Sequence, residues 1–145
     1  MKRKSTTPTL IHQTKCKVRF SETDMMGIVW HGSYVKYLED GREDFGNHYS
    51  GIGYMDIYHS GFKAPIVDLK IEYKKTLTAG EEITVETRYI PTEAAKIHFD
   101  YIVRNDRDEI IVTAYSIQVF LDKNDLLVLQ TPEFYKDWKK KWKAI

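Results

Sequence analysis

The stretch SETDMMGIVWHGSYVKYLED, Ser21 to Asp40, starts as a loop and ends as a helix. Asp24, Gly27, Trp30, His31 and Tyr34 crowd into the joint. Beyond Ser33 the residues Tyr34, Tyr37, Leu38, Gly41 and Phe45 fall at helical spacing. Lys36, Glu39, Asp40, Arg42, Glu43 and Asp44 form the opposite side. Gly32 or Ser33 is placed to cap the start, and Gly46-Asn47 to stop the helix after about three turns. Gly41 in the interior is unfavourable by ~1 kcal/mol against Ala, so close packing against a neighbour is expected there.

Outward from this joint the period changes. Upstream, Cys16, Val18 and Phe20 alternate with Lys15, Lys17 and Arg19, which predicts a short strand over 15–20. The segment before it, 1–14, is expected to be a loose leader. Downstream, Tyr54 to Ser60 predicts a second short helix ended by Gly61. Four period-two runs follow: Val67 to Tyr73, Ile83 to Tyr89, Ile97 to Arg104, and Ile111 to Leu121. Thr78-Ala79-Gly80, Pro91-Thr92-Glu93 and Asn105 to Asp108 separate them as turn material. Connections this short imply antiparallel neighbours. Pro132 opens a last helix, Glu133 to Trp142, with Phe134, Trp138 and Trp142 stacked four apart. The expected fold is α+β over residues 1–145 as one domain. A curved antiparallel sheet of about five strands wraps one central helix, with a C-terminal helix in 131–145. An open sheet has edges, and its last strand is apolar on both faces. Pairing with a second copy would cover them, so a homodimer or homotetramer is expected.

The totals exclude several classes. A net charge of +1 on 145 residues gives no nucleic-acid footprint. No run approaches the roughly 20 apolar residues of a membrane span, and a cytoplasmic location fits the absence of a signal-peptide core. The 1 cysteine, Cys16, cannot form an intramolecular disulfide and reads as a small buried hydrophobe. His12, His31, His48, His59 and His98 show no close pair at metal-ligand spacing, so no metal is expected. The serines lack a nucleophile-elbow context, and no Gly-rich phosphate loop occurs. The run Lys139-Lys140-Lys141 reads as a solvated helix end whose cations suit the dipole.

The segment VRFSETDMMGIVWHGSYVKYLEDGRED resembles the 4-hydroxybenzoyl-CoA thioesterase family of hot-dog folds. It is especially similar to the short acyl-CoA thioesterases found near the bacterial Tol-Pal system. The likeness is carried by Thr23, Asp24, Gly27, an aromatic, His31 and Tyr34, then by Tyr37, Leu38, Glu39 and Arg42. APIVDLKIEYKKTLTAGEEITVETRYI resembles the family's next two strands. One departure is Glu22 where that branch often has Asp. The resemblance implies an acyl-CoA thioesterase with sites at a dimer interface and no cofactor, coenzyme A being part of the substrate. An acyl-carrier-protein thioesterase and a non-catalytic acyl-thioester binder on the same scaffold are the alternatives.

Within that implication, thioester hydrolysis needs an activating group, donors for the growing oxyanion and a slot for the thiol carrier. Asp24 fits the first, as general base or as nucleophile. Backbone amides near Gly27 or His31, at the helix start, fit the second. The His31 side chain can bind substrate, hold a water or orient Asp24, or it is a helix-entry histidine satisfied by backbone. Tyr34 is the remaining motif residue, one turn into the helix. Lys74 and Lys75 are candidates to meet coenzyme A phosphates.

Overall fold

The computed structural model describes residues 10–144. Five strands form one antiparallel sheet: β1 (Leu10–Lys17), β2 (Ile66–Tyr73), β3 (Glu82–Ile90), β4 (Lys96–Asn105) and β5 (Ile110–Val119). Their spatial order is β1-β3-β4-β5-β2. The helices are α1 (Ser33–His48), α2 (Tyr54–His59) and α3 (Glu133–Trp142). The chain thus runs from one sheet edge, along α1 across the sheet, to the other edge. This is the hot-dog arrangement.

The helical stripe read from the sequence is the one that packs. Tyr34, Tyr37, Leu38, Gly41 and Phe45 are all buried. Val85, Thr87 and Tyr89 of β3, Phe99, Tyr101 and Val103 of β4, and Val112 and Ser116 of β5 are buried too. At Gly41 the approach is so close that a Cβ would stand 2.7 Å from Val85 Cγ1 and 2.8 Å from Thr87 Oγ1. That contact explains a glycine where helix propensity alone disfavours one.

Four expectations change. Leu10 to Thr14, assigned to the leader, pair with β3 from Leu10–Tyr89 onward; residues 1–9 lie outside the described residues. Leu10 joins the core, and the next inward side chains are polar and tied to α1. His12 Nε2 meets Asp44 Oδ2 at 2.8 Å, and Thr14 Oγ1 donates to the same oxygen at 2.7 Å. Phe20, expected in the strand, sits on a single 3-10 turn and is 83% exposed. Secondly, α1 does not stop at Gly46 but continues to His48. Gly46 is a contact point, since a Cβ would lie 3.0 Å from Gly53 Cα.

Thirdly, Arg42, read as part of the polar side, is buried. Its Nε donates to Gln118 Oε1 at 2.9 Å and its Nη2 to Ile52 O at 2.7 Å. The guanidinium lies between the Tyr54 and Phe99 rings, at 5.1 and 4.8 Å. Burial pushes its pKa down from the ordinary value. Lastly, β2 and β3 are not neighbours: β2 pairs with β5, while β3 lies between β1 and β4. Residues 74–81 carry the chain past the start of α1 on the way. Val29 N–H donates to Leu77 O at 2.8 Å, and Leu77 is fully buried.

α3 closes one end of the core through Tyr135 and Trp138, both buried. Trp138 Nε1 donates to Tyr49 O at 2.7 Å, and Trp142 Nε1 to Ser50 O at 3.0 Å. Two of the three consecutive lysines are engaged locally: Lys139 donates to Thr92 O and Lys141 to Ser50 Oγ. No helix among the described residues is long and apolar enough to cross a membrane. Cys16 is half-buried; burial, then Asp40, Glu22 and Asp44, pushes its thiol pKa up. That direction disfavours the thiolate a nucleophile needs.

Candidate active site

The loop from β1 to α1 folds back on itself. Thr23 bridges Val29, and Asp24 N–H donates to Ile28 O at 2.8 Å. At the tip, Gly27 N–H donates to Asp24 O at 3.0 Å, and Met26 N–H donates to Asp24 Oδ1 at 2.8 Å. One carboxylate oxygen therefore holds the turn, as Asp residues commonly do. Gly27 has φ +79°, and open space surrounds the position a Cβ would take. Backbone conformation, not crowding, demands glycine there. Its amide is spent on the turn.

Beneath the loop lies Glu22, buried against α1. It accepts from Arg19 N–H at 2.8 Å, Tyr37 O–H at 2.9 Å and Lys36 Nζ at 3.2 Å. Its main-chain oxygen accepts from Trp30 N–H at 2.9 Å and Ser33 Oγ at 3.0 Å. This one residue fastens the 3-10 turn, the returning loop and the first turn of α1, two positions before Asp24. Burial alone would raise its pKa. The Arg19 amide, the Tyr37 hydroxyl and Lys36 outweigh it and hold the carboxyl below its usual range. A depressed carboxyl stabilises the fold fully above the ordinary value of 4.5, and the contribution disappears as pH falls through the lower folded value. Glu22→Gln is expected to cost about 1–3 kcal/mol at neutral pH. The gap from wild type should shrink in urea melts taken progressively below pH 4.5.

α1 begins without a side-chain cap. Ser33 N–H donates to Trp30 O at 2.8 Å, while the His31 and Gly32 amides donate to no acceptor among the described residues. Amides at a helix start favour negative charge. Around this end opens a depression of about 290 Å³, lined by Asp24, Met26, Val29, His31, Tyr34, Tyr73, Lys74, Lys75 and Thr76, with Ile28. Asp24, His31, Tyr34, Lys74 and Lys75 are thus brought to one place, and Gly27 forms the adjoining turn. His31 is exposed, its ring 5.0 Å from that of Trp30. Tyr34 is buried, and burial, then Tyr73 and Glu81, raises its hydroxyl to about 12. Lys74 pairs with Glu72 at 3.2 Å and Lys75 with Glu109. Both pairs are exposed, of the kind worth ~0–1 kcal/mol, so an arriving phosphate would compete with them readily.

Tyr73 was not among the residues picked from sequence, where it read as one more apolar position of β2. Its ring packs edge-on against Tyr34 at 5.3 Å. A larger depression of about 550 Å³ lies by Lys15, Lys17, Glu82 and Asp106. It includes neither the helix start nor the loop acid. Among the described residues no group of three His, Cys, Asp or Glu side chains is placed to hold a metal ion.

A curved antiparallel sheet on a central helix is the hot-dog fold, and here Asp24 lines a depression at the start of that helix. Residues 18–140 match the model of the thioesterase-like superfamily, and the chain belongs to that family. A Bacillus subtilis (strain 168) protein named "Putative acyl-CoA thioesterase YneP" is 33% identical over 132 residues, covering 88% of this chain and 92% of the relative. The chloroplastic acyl-acyl carrier protein thioesterase ATL3 of Arabidopsis thaliana is 33% identical over 112 residues, 77% of this chain but 58% of that longer protein. The solved structure of a Staphylococcus aureus DHNA-CoA thioesterase superposes with a TM-score of 0.82 at 24% identity, covering 92% of this chain and 91% of that one. That likeness is one of fold.

Proposed function

We propose that the protein is an acyl-CoA thioesterase, releasing free acid and coenzyme A. The observation that carries this reading is one open depression lined by Asp24 and His31 at the start of α1, where the His31 and Gly32 amides are unspent. The thioester carbonyl oxygen would lie on those amides, which strengthen their hold as negative charge grows there. Asp24 then acts in one of two ways. As a base it takes a proton from water, the water oxygen bonds to the carbonyl carbon, and the carbon–sulfur bond breaks as the proton passes to sulfur. As a nucleophile its oxygen displaces the thiol, and water then opens the resulting anhydride. Lys74 and Lys75, at the depression's rim, suit the phosphates of coenzyme A. Gly27 serves by shaping the turn that presents Asp24. Tyr34 forms the floor.

A homodimer or homotetramer completes the site in this reading. β2 is an edge strand, and its Ile66, Val67, Leu69 and Tyr73 are exposed large hydrophobics. Met25 and Met26 are exposed on the site's own loop. Such a row of apolar side chains on an open edge suits a second copy of the chain. An acyl-carrier-protein thioester is the second reading, supported by the relative from Arabidopsis. The experiment that separates them is thiol release by the purified protein, its mass checked by light scattering, across matched acyl-CoA and acyl-carrier-protein thioesters. The expected result is an oligomer at least ~10-fold more efficient in kcat/KM on acyl-CoA, a difference of ~1.4 kcal/mol. A monomer, or a preference for the carrier protein, would reject the corresponding part.

A further inference from the structure

We propose that Tyr73 is a positioning residue for the amides that receive the oxyanion, a role that rests on the thioesterase reading above. Tyr73 is the last residue of β2, and it is half-exposed. Its hydroxyl nevertheless donates to a main-chain atom of the site, the His31 carbonyl oxygen, at 2.9 Å. A peptide unit is planar and trans, so its C=O and N–H point in opposite directions. Holding the His31 carbonyl therefore fixes the Gly32 N–H, the other end of the same unit. Gly32 has helical angles, φ −72° and ψ −21°, so this N–H points out of the N-terminal end of α1.

The unit on the other side of His31 is already held. Its Trp30 O accepts from Ser33 N–H at 2.8 Å, and the unit before that is tied by Trp30 N–H donating to Glu22 O at 2.9 Å. The His31–Gly32 unit has Tyr73 as its side-chain partner. Restraint matters more at this point because Gly32 is the residue type with most backbone freedom. A stiffer residue would have to displace the Trp30 ring, since a Cβ on Gly32 would stand 2.2 Å from it. The phenol is itself well placed. Its ring meets that of buried Tyr34 at 5.3 Å and 74°, and Tyr34 meets Tyr37 at 5.9 Å. Tyr37 in turn bonds Glu22 at 2.9 Å. The edge strand thus grips the helix start through the core.

Tyr73→Phe keeps the ring and removes the hydroxyl. With the thioester that wild type hydrolyses best, kcat is expected to fall ~10-fold with KM held within about twofold. Outright loss of an oxyanion donor costs about 10²–10³-fold, and a loosened one costs less. A readout free of substrate accompanies it: the NMR order parameter of the Gly32 amide is expected to drop from about 0.85 to about 0.6 or below. An order parameter that stays near the rigid value overturns the proposal, whatever kcat does. So does a kcat equal to wild type. If wild type itself hydrolyses no thioester, the enzymatic reading fails, and the order parameter alone decides whether Tyr73 holds this peptide.

Discussion

Asp24→Asn is expected to lower kcat by at least ~100-fold on acyl-CoA, the scale for loss of acid–base help. The substitution is well suited to isolate chemistry from structure. Asp24 Oδ1 accepts from Met26 N–H, and the Asn side chain keeps an oxygen that can do the same. The remaining turn bonds are main-chain: Asp24 N–H to Ile28 O, and Gly27 N–H to Asp24 O. The turn should therefore survive, leaving thermal stability near wild type. What the amide cannot do is accept a proton from water or attack as a carboxylate. Steady-state thiol release and a melting curve on the same sample check both halves. Turnover within a few-fold of wild type would remove Asp24 from the mechanism.

Phe45→Ala is expected to destabilise the fold by about 3–5 kcal/mol, the usual cost of emptying a large aromatic site. Phe45 is fully buried, and it joins three parts of the molecule. Its ring meets Phe99 of β4 at 4.9 Å, Tyr49 at 4.8 Å and Trp138 of α3 at 6.4 Å. The surrounding side chains are large and mutually packed, as in Tyr89 against Trp138 at 4.9 Å, so they cannot collapse cheaply into the space. Urea unfolding checks the value. A loss under ~1 kcal/mol would contradict the placement of this ring at the helix–sheet contact.

Much of this architecture is legible in the sequence where one physical signal dominates. The α1 stripe and the strand alternation are hydrophobic patterns, and both mark the buried faces. Pattern is silent where polar groups are buried in pairs. Leu10 to Thr14 belong to β1 because His12 and Thr14 turn inward to Asp44, which hydropathy reads as a polar leader. Arg42 is inside because Gln118 and Ile52 O supply acceptors that lie far along the chain or on the backbone. Short connections misled for β2 and β3, since residues 74–81 cross beside the start of α1 instead of turning back. The end of β2 and this crossing bring Tyr73, Lys74 and Lys75 to the candidate site. Asp24 and the helix start were readable from a contiguous motif. The grip of Tyr73 on His31 was not, because it joins residues that only the fold brings together.

The alternating residues of β2 leave both faces of the strand largely open. Alternation predicted one buried face, yet Val67 is 60% exposed and Tyr73 50% exposed. The strand's apolar side is open, and the proposed second copy would cover it. This ties the assembly to the site, since Tyr73 belongs to both.

In the proposed function, the depression at the start of α1 hydrolyses a thioester. Its most direct test is thiol release from short and aromatic acyl-CoA by the wild-type protein, with the Asp24→Asn variant run beside it. Wild type is expected to turn over, with a loss of at least ~100-fold in the variant. Failure of wild type to release thiol from any acyl-CoA or acyl-carrier-protein thioester, while folded, would contradict it.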